Sequence, residues 1–368
     1  MTRASPSPTS APTHPVDLDR ARQRIDSVLE EFLRGKENAA AELKLPTDAP
    51  RSLRNFLAAG GKRLRPLMCI LGWHAAGGYT PASGTVIRVA AALEMFHAFA
   101  LVHDDIMDDS DTRRGQPTVH RALSLQYAAR RPQSAAERLG TSAAIVVGDF
   151  ALAWSDELIH TAEVPRTRRT SLLAALHAMR DEVLLGQLLD LTATGQPSAD
   201  LDRALAIAHF KTAKYTIERP LHIGAILAGA DGALLDTLTA YALPLGEAFQ
   251  LRDDLLGVFG DPARTGKSRL DDLREGKHTA LIAHALRDAV PAHASTLRRL
   301  VGRADLTEAD AARIRAILTA TGARTHVEHM IVQRRDSVLA LLDTCASLSP
   351  EAVPLLRWLA DSSTRRSR

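Results

Sequence analysis

Residues 93–115 read "LEMFHAFALVHDDIMDDSDTRRG" (Leu93 to Gly115), an apolar helical run that ends in five aspartates within the eight residues from Asp104 to Asp111. An apolar lead-in of this kind marks a helix whose surroundings are largely core. Carboxylates packed so closely repel one another, so the chain needs a compensating cation near Asp104. On a helix, Asp104 and Asp108 are four residues apart and share one face, with Cβ atoms roughly 5 to 6 Å apart. Two oxygen donors on one face suit a hard cation such as Mg2+, which keeps waters and takes substrate phosphate oxygens as further ligands. Asp105 is offset by one residue and falls behind that pair. A solvated acidic helix end is the ordinary alternative for a charge run, and the buried lead-in argues against it.

The same periodicity extends outward along the chain. From Val16 onward apolar positions recur at three- and four-residue spacings, as in "VDLDRARQRIDSVLEEFL", and alternating strand patterns are nearly absent. Alanine and leucine dominate an apolar content of 45%, with aromatics at only 4%, a balance that favours helix. The segments "GGKRLRP", "GGYTPASG", "RRGQP", "TGQPS" and "GDPARTGK" punctuate the pattern. They separate helices predicted from the 80s to 108 and over 135–158, 167–193, 201–228 and 232–259. With no linker and no fixed repeat, the expectation is an all-α fold, one large helical bundle around a central cavity, spanning 16–361. Residues 1–15, rich in Ser, Pro and Thr, are expected to be a disordered tail. Residues 362–368, ending in "STRRSR", are expected to be a frayed basic tail.

Composition narrows the function. A formal net charge of +3 over 368 residues gives no reason to expect nucleic acid as a partner. The two cysteines, Cys69 and Cys345, lack the paired spacing of a zinc or redox motif and read as buried thiols. No uninterrupted apolar run approaches the roughly 20 residues that span a bilayer. The opening stretch "MTRASPSPTSAPTHP" lacks the apolar centre of a secretion signal. A chain without a transmembrane segment and a cytoplasmic location are therefore expected.

A second acidic pair, Asp253 and Asp254, follows another apolar helix in "GEAFQLRDDLLGVFGD". Two such banks imply a substrate between them. Cations lie around them: Lys62, Arg63 and Arg65 in "GGKRLRP", Arg113 with Arg114, Lys211 in "FKTAKYT", and Lys267 in "TGK". Each alone reads as a surface charge. Together they suit a diphosphate, which needs Mg2+ and fixed Lys or Arg donors to be held and released as a leaving group.

These motifs resemble the trans-isoprenyl diphosphate synthases, or polyprenyl synthetases, over about Lys62 to Lys277. The family's first aspartate motif, DDxxD followed by RRG, matches Asp104, Asp105, Asp108 and then Arg113, Arg114, Gly115. "GGKRLRP" is similar to the family's clamp for isopentenyl diphosphate, which implies that Lys62, Arg65, His97 and Arg114 hold that substrate. His97 lies seven residues before Asp104, about two turns, on the same helix face. By the same resemblance Arg113, Lys211, Gln250 and Lys267, with Lys277 in "DDLREGK", contact the allylic diphosphate. Thr212 and the Lys211 backbone then face the developing carbocation. "GQLLDL" also resembles a family helix, with Gln187 and Asp190 facing the cavity. The resemblance further implies metal on Asp104, Asp108 and Asp253, three Mg2+ ions with substrate bound, and a homodimer.

One position departs from the pattern. The second motif is often DDxxD, and its fifth residue here is Gly257, which cannot ligate a metal; the third ion would rest on Asp253, with water-mediated help from Asp254 or Asp261. The implied reaction is head-to-tail 1'-4 prenyl transfer, in which the departing diphosphate takes up the released proton. In the family, the residues four and five before the first aspartate form the pocket floor; here they are Ala100 and Phe99. One aromatic beside a small residue looks like the pattern of geranylgeranyl (C20) synthases, with C15 and C25 as neighbouring products. An ideal helix puts Phe99 roughly 140° from Asp104, so the floor rests on the resemblance. Other readings are a class I terpene cyclase, a non-catalytic synthase subunit, and an HD-type phosphohydrolase using His103 with Asp104.

Overall fold

The computed structural model describes residues 17–79, 82–261 and 268–364; the 1–15 tail, the 365–368 end of the basic tail and Lys267 lie outside the described residues. The all-α expectation holds. The N-terminal half runs α1 (Leu18–Glu42), α2 (Asp48–Ala58), α3 (Leu64–Ala75) and α4 (Gly84–Met107). A two-residue hairpin, β1 (Thr112–Arg113) with β2 (Gln116–Pro117), turns the chain through "RRGQP" into α5 (Val119–Ala128), α6 (Gln133–His160) and α7 (Arg166–Leu191). The predicted 201–228 helix is continuous but not uniform. It is α8 (Leu201–Ile207), an eleven-residue π-helix (Ala208–Glu218), then α9 (Arg219–Ala228). After α10 (Gly232–Phe259) come α11 (Asp271–Glu275), α12 (Ala280–Asp288), α13 (Pro291–Leu300), α14 (Glu308–Ala320), α15 (Ala323–Thr344) and α16 (Val353–Thr364).

Local chemistry starts these helices where the sequence does. Ser83 caps α4 by accepting from the Val86 amide, and Asp231 caps α10 by accepting from Leu234. Gly229, at φ 99°, ends α9 in the left-handed conformation that costs glycine little.

α4 is buried on nearly every face, packed among α1, α3 and α6, which is why its apolar residues show no single stripe. By length and composition alone α4 could cross a bilayer, since one 18-residue window has a mean hydropathy of 1.6. That window is 72% buried inside the protein, and the helix also carries Arg88, Glu94 and His97. Its apolarity therefore serves the core.

Apolar side chains form three clusters, around α4, around α12 to α15, and between α3, α9, α10 and α16. α10 joins the last two. Leu238, Tyr241 and Leu245 enter one cluster, and Leu251, Leu255 and Val258 enter the other. Each such leucine, buried in full, contributes about 1.5–3 kcal/mol.

Two close approaches set the π segment in place. A Cβ on Gly186 of α7 would lie 2.8 Å from the Lys211 amide nitrogen, and one on Gly246 of α10 would lie 2.4 Å from the Ala213 Cα. Only glycine lets both helices approach the backbone that carries Lys211 and Thr212.

Candidate active site

The last turn of α4 presents the first acidic bank. Asp104 accepts hydrogen bonds from Gln187 Nε2 at 3.1 Å and Lys211 Nζ at 3.4 Å. Asp105, 1% exposed, accepts from Arg113 Nε at 2.7 Å, and its Oδ2 has no hydrogen-bond partner among the described residues. It lies behind the pair, as the helix spacing predicts. Asp108 caps the C-terminus of α4. Burial, then the neighbouring Asp104 and Glu275 carboxylates, push its pKa up to about 7. This surplus of negative charge, offered by oxygen donors alone, fits a hard divalent cation. Among the described residues no group of three or more His, Cys, Asp or Glu side chains forms a complete cage. A cation here would need oxygens from a ligand or water.

The π segment supplies the cation facing this bank. Lys211 Nζ donates to Asp190 Oδ2 at 2.6 Å as well as to Asp104. Burial opposes its charge, but Asp104, Asp190 and Asp108 hold its pKa above the ordinary lysine value. The next residue turns toward the second bank. Thr212 Oγ1 donates to Gln250 Oε1 at 2.6 Å, and Gln250 Nε2 donates to Asp254 Oδ1 at 2.7 Å. Burial, then Asp272 and Asp253, raise Asp254 to about 8. Asp253 beside it is exposed. Lys277 donates to Asp272 at 2.9 Å and forms an ion pair with Glu275 at 2.8 Å, and its charge acts on both Asp108 and Asp254. The two banks, 150 residues apart in sequence, are thus linked through Lys211, Thr212, Gln250 and Lys277.

The sequence reading missed Asp272. Its Oδ2 lies 1.9 Å from where a Cβ on Gly257 would stand, so the missing fifth side chain of the second motif leaves space that this carboxylate occupies. Its signal was the acidic "LDDLREGK", read only for its lysine.

The "GGKRLRP" loop divides its cations between two tasks. Arg63, in the left-handed conformation at φ 49°, is buried and donates to Asp26 at 2.8 Å, Glu94 at 2.8 Å and the Leu57 carbonyl at 2.7 Å. It anchors the loop to α1, α2 and α4. Lys62 is exposed. Arg65 donates to Thr216 Oγ1 at 2.7 Å with its guanidinium 4.1 Å from the centre of the Tyr215 ring. Arg114 donates to the Gly60 carbonyl and lies over the Phe56 ring, pinning the hairpin against this loop. Gly61 stands at φ 151°, a backbone conformation that other residues rarely adopt, and a Cβ there would come within 2.8 Å of that guanidinium. His97 completes the group, 3.4 Å from the Tyr215 hydroxyl. Burial, then Arg65, Arg114, Arg113 and Arg63, hold its pKa well below the usual histidine value, so it is neutral at pH 7.

Phe99, 6% exposed, packs against the Phe96 ring at 5.3 Å and the His103 ring at 4.8 Å, while Ala100 is half-buried one turn before Asp104. His103 turns toward α6, with Nε2 3.1 Å from the Ile145 carbonyl and 3.8 Å from Asp149. Its direction away from Asp104 removes the basis for the HD phosphohydrolase reading. A groove of about 760 Å3 lies among Arg20, Arg24, Arg88 and Thr161 and touches none of these site residues.

The polyprenyl synthetase family model matches residues 49–318. The crystal structure of geranylgeranyl pyrophosphate synthase from Corynebacterium glutamicum, complexed with isoprenyl diphosphate and magnesium, matches with a TM-score of 0.90 and 42% identity. It covers 95% of this chain and 100% of that one. The geranylfarnesyl diphosphate synthase of Aeropyrum pernix is 32% identical over 308 residues, 82% of this chain and 90% of that protein. The geranylgeranyl diphosphate synthase of Methanosarcina mazei is 30% identical over 324 residues, 87% of this chain and 92% of that protein.

Proposed function

This chain belongs to the polyprenyl synthetase family and is a trans-prenyltransferase, and from that premise we propose that it extends allylic diphosphates of C5 to C15 with isopentenyl diphosphate, releasing mainly geranylgeranyl diphosphate (C20). The observation that carries this reading is Lys211. It pairs with Asp104 and Asp190 while the adjacent Thr212 reaches the second bank through Gln250.

Mg2+ held by Asp104 and Asp108 on one side and Asp253 on the other, three ions in all with substrate bound, would neutralise the departing diphosphate. Lys211, Arg113, Gln250, Lys267 and Lys277 hold the allylic diphosphate as its C–O bond breaks. Lys211 stays charged at neutral pH because its carboxylate partners keep its pKa high. Thr212 and the Lys211 backbone face the allylic cation. Lys62, Arg65, His97 and Arg114 hold isopentenyl diphosphate so that its double bond attacks, and the released proton passes to the diphosphate leaving group. Positioning and fixed charge supply the acceleration, so no strong protein base is needed.

Phe99, wedged between Phe96 and His103, forms the floor that stops growth near C20. Purified protein is incubated with labelled isopentenyl diphosphate and an allylic primer, with and without Mg2+, and the dephosphorylated products are chromatographed. A C20 majority that vanishes without Mg2+ is expected. A majority above C25 rejects the product assignment, cyclic hydrocarbons point to a cyclase, and silence unless another subunit is added points to a non-catalytic partner. Phe99→Ala should lengthen the product, and an unchanged distribution counts against the floor.

The same reading carries a homodimer and a cytoplasmic location. The apolar side chains Ile145, Val146 and Phe150 of α6 and Leu184, Leu185 and Leu188 of α7 are exposed on the single chain and give a second copy a surface to cover.

A further inference from the structure

Tyr215 and Thr216 follow Lys211 by four and five residues in the π segment, and both are buried. They touch two different members of the isopentenyl diphosphate clamp. Thr216 Oγ1 accepts from Arg65 NH2 at 2.7 Å, while the Tyr215 ring lies 4.1 Å beneath the same guanidinium. The Tyr215 hydroxyl reaches His97 Nδ1 at 3.4 Å, and Phe96 packs against the Tyr215 ring with centroids 5.9 Å apart. Arg65 comes from α3 and His97 from α4, so this one dipeptide joins two elements that share no direct Arg65–His97 bond in the described set. We infer that Tyr215 and Thr216 are positioning residues of the isopentenyl diphosphate site, holding the Arg65 fork and setting the His97 tautomer; this rests on the proposed function.

The chemistry of each contact supports the assignment. An arginine side chain has many rotamers, and a hydroxyl at one end with an aromatic face below fixes both its direction and its plane. The Arg65 Nε is buried without a hydrogen-bond partner among the described residues, so the fork is oriented by these two contacts. A neutral imidazole offers one N–H. When the Tyr215 O–H donates into Nδ1, the proton sits on Nε2, and that nitrogen is the donor left for an anionic oxygen. Burial pushes the Tyr215 hydroxyl up to about 12, so it stays protonated as a donor at any working pH. The π segment then serves both substrates, with Lys211 and Thr212 toward the acidic banks and Tyr215 and Thr216 toward the clamp.

The test compares initial rates of wild type, Thr216→Val, Thr216→Ser, Tyr215→Phe and Tyr215→Leu, varying each substrate in turn. Thr216→Val and Tyr215→Leu should raise KM for isopentenyl diphosphate by about tenfold or more, the range for losing a contact to a charged group. KM for the allylic diphosphate should stay within about twofold, because its contacts lie on other side chains. Thr216→Ser should restore the wild-type value, and Tyr215→Phe, which keeps the ring under Arg65, should fall between. Calorimetric titration with isopentenyl diphosphate alone should give the same order without turnover. An unchanged isopentenyl KM in Thr216→Val at wild-type melting temperature overturns the inference, as do equal rises for both substrates. Should Tyr215→Leu fail to fold, the nearly isosteric Thr216 pair decides. A wild-type protein that makes no prenyl product with Mg2+ sinks the proposed function, whereas active wild type with insensitive variants sinks only the positioning roles.

Discussion

Gly257 and Asp272 form one unit although fifteen residues separate them. The Asp272 carboxylate fills the space where a Cβ on Gly257 would stand and is held there by Lys277 Nζ at 2.9 Å. Gly257→Asp, which would write the more common second motif into this chain, should therefore displace Asp272 from Lys277 and leave the lysine paired with Glu275 alone. Overpacking of this kind costs about 1–3 kcal/mol, read as a lower urea midpoint. The rise in melting temperature on adding Mg2+ with pyrophosphate should also shrink. A variant with unchanged stability and an unchanged Mg2+–pyrophosphate shift would show that Asp272 does not depend on the glycine. Helix spacing put Asp104 and Asp108 on one face at this scale, and only the family resemblance pointed to Lys211, Thr212 and Gln250. Spacing did not separate Arg63 from Arg65. Two residues apart in one basic loop, they differ only in what lies opposite, Asp26 and Glu94 for one, Tyr215 and Thr216 for the other.

The π segment is the element on which the site turns. Its hydrogen bonds run to the fifth residue rather than the fourth, an arrangement found chiefly where function repays poorer geometry. In sequence it is indistinguishable from α-helix, because the spacing of apolar residues differs too little to show over eleven positions. What keeps it in place is the small side chains facing it. Gly246→Ala would bring a methyl 2.4 Å from the Ala213 Cα, backbone that a rotamer change cannot move aside. The variant should lose about 1–3 kcal/mol in urea unfolding, with a raised KM for the allylic diphosphate because Thr212 is the next residue. Gly35→Ala is the control. It is exposed on α1 with nothing within 4 Å of the added Cβ, and should gain about 0.5–1 kcal/mol from helix propensity alone. Equal outcomes for the two substitutions would refute the packing argument.

At the scale of the whole molecule, α10 and α4 carry the acidic banks at the ends of helices rooted in different apolar clusters. The separation of the banks is therefore set by how those clusters pack. The exposed apolar residues of α6 predict a dimer of about twice 39.8 kDa by light scattering at micromolar concentration. Val146→Glu should shift it toward the monomer, and a wild-type monomer would remove the homodimer from the account. The sequence by itself determined the helical class, most helix positions, and the order of carboxylates and cations along the chain. Those are written in spacings of three and four residues and in motifs a few residues long. Tertiary structure alone decided which cation meets which carboxylate, that Arg63 is an anchor, that Asp272 stands in the space at Gly257, and that Tyr215 and Thr216 meet Arg65 and His97. Lys211 reaches Asp104 across 107 residues of chain and Arg65 reaches Thr216 across 151. Pairings at that range depend on how closely glycine-lined helices approach, which no local pattern records.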